Sequence, residues 1–221
     1  MVVGNGLIAR AFQGFKNVDQ VLIFASGVSN SLEKDPAAYA RELSLLKDYS
    51  NFEGKFVYFS TLSIFDPALS KSPYVLHKRK MEEVVSSYNN YLVLRLPNLV
   101  GRGGNPNTLL NFLHNAILEE REIPVYTNTV RYILDVDDVV SWVEKLLTKG
   151  TINVSLNLCG TKGFSVMEIL EVLEHASGKK ARVKPLDVGE PYFPVCEPVP
   201  VSLDFPSPRK YLEKVIFKYF S

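Results

Sequence analysis

The chain has 221 residues, with 25 basic against 24 acidic side chains and a net charge of +1. This length is near the top of the one-domain range and can bury a sizeable core, with room for a small second lobe. The balanced charge excludes the basic footprint of a nucleic-acid binder and any strong attraction to a membrane surface, and no stretch reaches the roughly 20 apolar residues of a spanning helix. The opening Met1-Val2-Val3-Gly4 carries no basic, apolar leader, so a cytoplasmic location is expected. Two cysteines far apart in sequence, Cys159 and Cys196, give no disulfide framework, and with three scattered histidines they give no metal site.

Val2-Val3 reads as a very short strand running into Gly4-Asn5-Gly6-Leu7-Ile8-Ala9, a G-x-G-x-x-A turn, and then a short helix. Glycines at such a turn permit close backbone approach to a pyrophosphate; alone, the same residues are an ordinary strand-to-helix turn. A second strand, Gln20 to Phe24, ends in Ala25-Ser26-Gly27. Asp35-Pro36 opens a helix through about Tyr49, with Ala37, Ala38, Leu43, Leu45 and Leu46 on its apolar side.

Lys55 to Phe59 is a buried strand that leads into the hydroxyls of Ser60 and Thr61, at the end where open α/β sheets present ligand-binding groups. Ser72 caps the next helix and Pro73 fits its first turn, which puts Tyr74 and Lys78 at i and i+4 on one face. A lysine ammonium beside a phenol lowers the tyrosine pKa from about 10 toward the range useful for acid/base work. His77 lies between them in sequence and takes a structural or solvent role; Met81, Val84 and Val85 form the core stripe, and Arg79, Lys80, Glu82 and Glu83 the wet side.

Tyr91 to Leu96 is another buried strand, followed by Pro97-Asn98. A glycine-rich loop over residues 101–107 leads to a helix from about Thr108 to Glu120, and short strands follow at Ile123 to Tyr126 and Tyr132 to Val136. Asp137-Asp138 reads as the cap of a helix Val139 to Leu147. Strand Val154 to Leu158 precedes Gly160, and Ser165 with Glu168 forms a capping box for the helix Val166 to Ser177. Beyond Gly178 the sequence predicts a strand from Ala181 to Leu186, then a proline-rich stretch to Pro208 with Tyr192, Phe193 and Phe205, and a final helix from Arg209 to Phe220 opened by Ser207-Pro208.

Taken in order, Gly4-Asn5-Gly6-Leu7-Ile8-Ala9, Phe59-Ser60-Thr61, Ser72-Pro73-Tyr74 with Lys78, Leu94 to Gly101, Arg131 to Asp138 and Leu156 to Gly160 resemble the extended short-chain dehydrogenase/reductase family of nucleotide-sugar epimerases, dehydratases and 4-keto reductases. The resemblance spans roughly residues 1–180. It implies a doubly wound α/β fold with a parallel Rossmann-type sheet, a dinucleotide-binding core over residues 1–178 with 101–131 contributing to the substrate side, and a small C-terminal substrate lobe over 179–221. The strand ending at Phe24 looks like the family's fourth, so the second and third strands are missing, and with them the residue that reads the adenosine ribose. The sheet should be narrower, with the first strand near an edge. Asp19 precedes its strand and is read as a solvated turn residue.

By the same resemblance, Thr61, Tyr74 and Lys78 are the catalytic set. NAD or NADP would be held by Gly4, Asn5, Gly6, Leu7, Ile8, Ala25, Ser26, Gly27, Ser60, Tyr74, Lys78 and Pro97. A nucleotide-activated sugar would meet Thr61, Asn98 and Arg131; a surface salt bridge is the alternative for Arg131. Family dehydratases carry an Asp-Glu pair after the threonine; Leu62 and Ser63 stand there instead, which leaves 4-keto reduction or 4-epimerisation. Two other readings stay open: a catalytically silent derivative that binds a sugar nucleotide or protein partner without redox turnover, and a homodimer whose second chain completes the cofactor site.

Overall fold

A computed structural model describes residues 1–160, 162–198 and 207–221; Phe205, expected in the proline-rich stretch, lies outside them. In chain order the elements are β1 (Val2–Val3), α1 (Leu7–Ala11), β2 (Val21–Phe24), α2 (Pro36–Asp48), β3 (Lys55–Thr61), α3 (Pro73–Ser86), β4 (Tyr91–Leu96), β5 (Asn98–Val100), α4 (Leu109–Leu118), β6 (Glu122–Tyr126), β7 (Val130–Arg131), β8 (Ile133–Asp135), α5 (Val136–Thr148), β9 (Val154–Asn157), β10 (Phe164–Ser165), α6 (Val166–Ser177), β11 (Arg182–Leu186) and α7 (Pro208–Phe220). Among the described residues β1, β2, β3, β4 and β9 form one parallel sheet in that order. The first strand is at its edge, as the missing strand pair requires. Three two-stranded pairings, β5 with β8, β6 with β11 and β7 with β10, lie outside this sheet.

Period-two alternation divides the core between the two faces of the sheet. Val21, Ile23, Val57, Phe59, Leu92 and Leu94 face one way, in a cluster with residues of α4, α5, α6 and α7. Leu22, Phe24, Phe56, Tyr58 and Val93 face the other, against Leu46 of α2 and Met81 and Val85 of α3. Helix α7 joins the larger cluster through Tyr211, Leu212, Val215 and Ile216.

Local signals placed most helix starts. Asp35, Ser72, Ser165 and Ser207 cap α2, α3, α6 and α7 through their side chains, and Glu168 closes the capping box of α6. Helix α5 differs: its cap is Asp135, which accepts from Asp137 N at 3.0 Å, so Asp137 and Asp138 occupy the first turn. The expected Asp137-Asp138 cap is thus displaced, because β8 ends at Asp135 and the chain turns there. Asp138 instead accepts a hydrogen bond from Tyr211 Oη at 2.7 Å, which ties α7 to α5.

The cysteines also depart from expectation. Cys159 and Cys196 form a disulfide across a sequence separation of 37. The arm after β11 returns alongside the end of β9, where Asn157 Nδ2 donates to Val195 O at 2.7 Å and Glu197 N donates to Asn157 O at 2.9 Å. That pairing brings together two residues whose proximity is purely tertiary. Among the described residues no helix is long and apolar enough to cross a membrane.

Candidate active site

The site lies at the C-terminal ends of β1 to β4, where the strands hand over to loops and helices. At β1, Gly4 has φ +124°, and a Cβ there would lie 2.4 Å from Ala25 O, so only glycine fits the turn against the loop after β2. Gly6 has no atom within 4 Å of the position its Cβ would take, which leaves open the approach that a dinucleotide needs. Leu7 and Ile8 are half-buried in α1. Arg10 straps this turn to the loop after β5: Nη1 donates to Asn5 O at 2.9 Å and Nη2 to Gly103 O at 2.5 Å. On the neighbouring loop, Arg41 of α2 donates to Ser26 Oγ and Ser26 O at 3.1 and 3.2 Å.

Ser60 and Thr61 are successive strand residues and point to opposite faces. Ser60 Oγ donates to Glu82 Oε1 at 2.5 Å beneath α3, while Thr61 Oγ1 accepts from Ser63 N at 3.1 Å and lies close to the Tyr74 phenol. Glu82, expected on the wet side of α3, is buried. Arg95 of β4 explains why, donating to it from Nη2 at 2.6 Å and Nε at 3.0 Å. Tyr74, Lys78 and Glu82 recur every four residues, so one face of α3 carries all three polar groups.

Lys78 is where the sequence reading needs its main correction. Its ammonium is turned away from a pure Tyr74 pairing: Nζ donates to Glu42 Oε1 at 3.0 Å and to Tyr58 Oη at 3.1 Å. Glu42, in the middle of α2, is 0% exposed and also accepts from Tyr58 Oη at 2.7 Å and Val28 N at 2.7 Å, with His77 Nε2 at 3.0 Å. Burial opposes charge on Glu42, but Lys78, His77 and the donors from Val28 and Tyr58 hold its carboxyl down to about 2. The Tyr74 phenol is not lowered. Burial, reinforced by the Glu42 carboxylate and opposed by the neighbouring Thr61 hydroxyl, pushes it up to about 12. Gly27 packs on this cluster, and a Cβ there would lie 2.6 Å from Lys78 Nζ and 2.9 Å from Glu42 Oε1.

The expected substrate groups are held by the chain itself. Asn98, after half-buried Pro97, donates from N and Nδ2 to Tyr132 O at 3.1 and 3.0 Å. Arg131 Nη1 donates to Val130 O at 3.2 Å and lies 3.8 Å from Asp66 Oδ2, near buried Tyr192 of the disulfide-tethered arm. Leu62, which follows Thr61, is buried and apolar. Among the described residues no group of three His, Cys, Asp or Glu side chains is placed to hold a metal.

Glu42, Tyr58 and Glu82 were missed as site residues. Glu42 had a readable signal: it falls between Ala38 and Leu46 on the buried stripe of α2, and a carboxylate on such a stripe requires a charged partner.

Comparison with known proteins gives a consistent family. A sequence model of the NAD dependent epimerase/dehydratase family matches residues 4–159. A GDP-6-deoxy-D-talose 4-dehydrogenase of Aggregatibacter actinomycetemcomitans is 28% identical over 116 residues, which cover 50% of this chain and 40% of that protein. The match therefore spans less than half of that relative's length. Among solved structures, dTDP-4-dehydrorhamnose reductase from Bacillus anthracis in complex with NADP superposes with a TM-score of 0.71 at 18% identity, covering 96% of this chain and 85% of that one. UDP-glucuronic acid 4-epimerase from Bacillus cereus, in complex with UDP-glucuronic acid and NAD, gives 0.68 at 20% identity over 95% and 77%. At these identities the two structures establish the shared fold.

Proposed function

The chain belongs to the NAD dependent epimerase/dehydratase family, and from that premise we propose that it reduces the 4-keto group of a nucleotide-activated sugar, with Tyr74 as the proton donor. NADH or NADPH, when bound, supplies the hydride. The observation that carries the reading is the placement of Tyr74: a buried phenol close to Thr61, on the helix face that also carries Lys78, whose charge is matched by Glu42. A ketone gaining hydride needs a proton at its oxygen, and a phenol that stays protonated through neutral pH is prepared to give it. Epimerisation must begin by taking a proton from an alcohol, which asks the same group to start as phenolate. Thr61 holds the reacting oxygen, and buried Leu62 supplies no acid for water elimination.

The glycine turn Gly4-Asn5-Gly6 with Leu7 and Ile8, the loop Ala25-Ser26-Gly27, and Ser60, Tyr74, Lys78 and Pro97 form the proposed cofactor side; Gly6 leaves the open approach that such a cofactor needs. Asn98 and Arg131 form the proposed substrate side, and 179–221 the segment that borders it. The relatives named above act on GDP-, dTDP- and UDP-linked sugars by their names, which supports that substrate class. One observation favours the silent-binder reading: β1 is at the edge of the sheet, and among the described residues no strand lies beyond it to read an adenosine ribose. The test is loss of reduced-nicotinamide absorbance when purified protein is mixed with NADH or NADPH and 4-keto sugars linked to UDP, GDP or dTDP. Steady oxidation with one of them supports reduction, and none with any of them removes it.

A further inference from the structure

The arm after β11 is held against the site by little besides a covalent bond. Residues 192–197 form no helix or strand, and Phe193 and Val195 are 74% and 87% exposed, so their burial contributes little to docking. Among the described residues, the hydrogen bonds that tie this stretch to the rest of the chain go to Asn157 at the end of β9: Nδ2 donates to Val195 O at 2.7 Å, and Asn157 O accepts from Glu197 N at 2.9 Å. The Tyr192 ring packs on Tyr132 with centroids 5.9 Å apart, and the disulfide from Cys159 to Cys196 closes the contact. What the arm covers is the proposed substrate side. Leu62, Tyr132, Cys159 and Tyr192 form one buried apolar cluster, with Val130 and Cys196 packed against it. Leu62 follows Thr61 directly, and Tyr132 O accepts from Asn98 N and Nδ2 at 3.1 and 3.0 Å. A polar row runs alongside, with Ser60, Arg95 and Asn157 in register across β3, β4 and β9. Arg95 donates to Glu82, the acceptor of Ser60 Oγ, and to Asn157 Oδ1 at 3.3 Å, so the Asn157 amide takes a hydrogen bond from the site and gives one to the arm.

We propose that the disulfide between Cys159 and Cys196 is a redox-controlled clamp: formed, it docks the arm over Leu62 and Tyr132 and completes the substrate side; reduced, it releases the arm and loosens the residues beneath it. The reductant is a dithiol. Cys159 is 1% exposed and Cys196 only half-buried, so a thiolate of the dithiol attacks Cys196 Sγ, the S–S bond breaks, and its electron pair leaves on Cys159 Sγ, which takes up a proton. The second thiolate of the dithiol then attacks the mixed disulfide, releases Cys196, which is protonated in turn, and closes the reductant's own disulfide. Two electrons and two protons pass to the protein. The covalent link is then gone, and the arm has only the Asn157 hydrogen bonds and the Tyr192 packing to keep it in place. The proposal rests on the reading above for what the site binds, whereas the clamp itself does not.

The test compares amide hydrogen exchange, read by mass spectrometry, in the air-oxidised protein and after dithiothreitol. Thiol titration of the denatured chain should find no free thiol in the first state and both cysteines free in the second; free thiols in the oxidised protein overturn the proposal. On reduction, peptides containing Glu197, Ser63 and Asn98 should exchange about tenfold faster or more, while β2, on the far side of the sheet order, stays protected. Removal of the dithiothreitol and reoxidation should restore the slow exchange. Unchanged exchange at Ser63 and Asn98 in protein with both thiols titrated overturns the proposal, because the arm then does not hold the residues beneath it.

Cys196→Ser and Cys196→Ala should exchange as the reduced wild type does and ignore dithiothreitol; a response to the reductant in either variant overturns the assignment to this bond. The reduced wild type carries the test whether or not those variants fold. Calorimetric titration with UDP-glucose then asks what the clamp controls. Its affinity should fall about tenfold or more on reduction, as expected where the docked arm becomes a minority state. Equal affinity in the two redox states overturns the clamp as a control of the site. No binding in either state, with the exchange change present, sinks the nucleotide-sugar reading and leaves the clamp standing.

Discussion

Tyr74 and Glu42 carry the predictions at the scale of single residues. Tyr74→Phe removes the proposed proton donor and leaves the ring that fills its buried position, so turnover should fall by about 10²- to 10⁴-fold, while dinucleotide affinity measured by calorimetry changes little. Preserved turnover would take the tyrosine out of the mechanism. Glu42 predicts a pH dependence of stability. Its carboxyl is held at about 2 in the fold, against 4.5 unperturbed, so its contribution is fully present above pH 4.5 and is lost as the pH falls through 2. Urea unfolding followed from pH 7 to 2 should show that loss in the wild type and a smaller one in Glu42→Gln. At pH 7 the variant should be less stable by about 3–5 kcal/mol, because it leaves Lys78 buried without its counter-charge. Equal stability of the two proteins at pH 7 would mean that the pair contributes nothing.

At the scale of elements, the disulfide is the feature that carries a prediction about stability. It joins the end of β9 to the arm that carries Tyr192 onto Tyr132, and the loop it closes restricts the unfolded chain. Cys196→Ser should lower the free energy of unfolding by about 2–4 kcal/mol in urea titrations under oxidising conditions, and an unchanged midpoint would show that the bond adds no stability. This element also shows what sequence reasoning reaches and where it stops. Caps at Asp35, Ser72, Ser165 and Ser207 were legible because each is decided within four residues of itself. The Asp135 cap was not, because it depends on where β8 ends, and β8 is set by pairing with β5. The disulfide was illegible for the same reason on a longer scale. Ser60, Thr61, Tyr74 and Lys78 were recognisable as a group through the family resemblance, with helix periodicity placing Tyr74 and Lys78 on one face, but the partner of Lys78 came from a third element, α2, whose acid was hidden in an otherwise apolar stripe.

For the whole molecule, the shortened sheet is the fact that any function must accommodate. The order β1, β2, β3, β4, β9 leaves β1 at the edge with two paired residues, and among the described residues the adenosine-reading strands of the family have no counterpart beyond it. That architecture was legible because the second hydrophobic run, ending at Phe24, follows the glycine turn too closely for an intervening strand pair. On the proposed reading, what remains is the half of the cradle that would meet the reactive end of a dinucleotide: the open approach at Gly6, the loop at Gly27, and Thr61, Tyr74 and Lys78. The account requires this half to suffice. Calorimetric titration of the purified protein with NAD, NADH, NADP and NADPH, each with and without UDP, tests that requirement most directly. Saturable binding of at least one dinucleotide is the predicted result, and binding of UDP alone, or of nothing by a folded protein, would contradict the account.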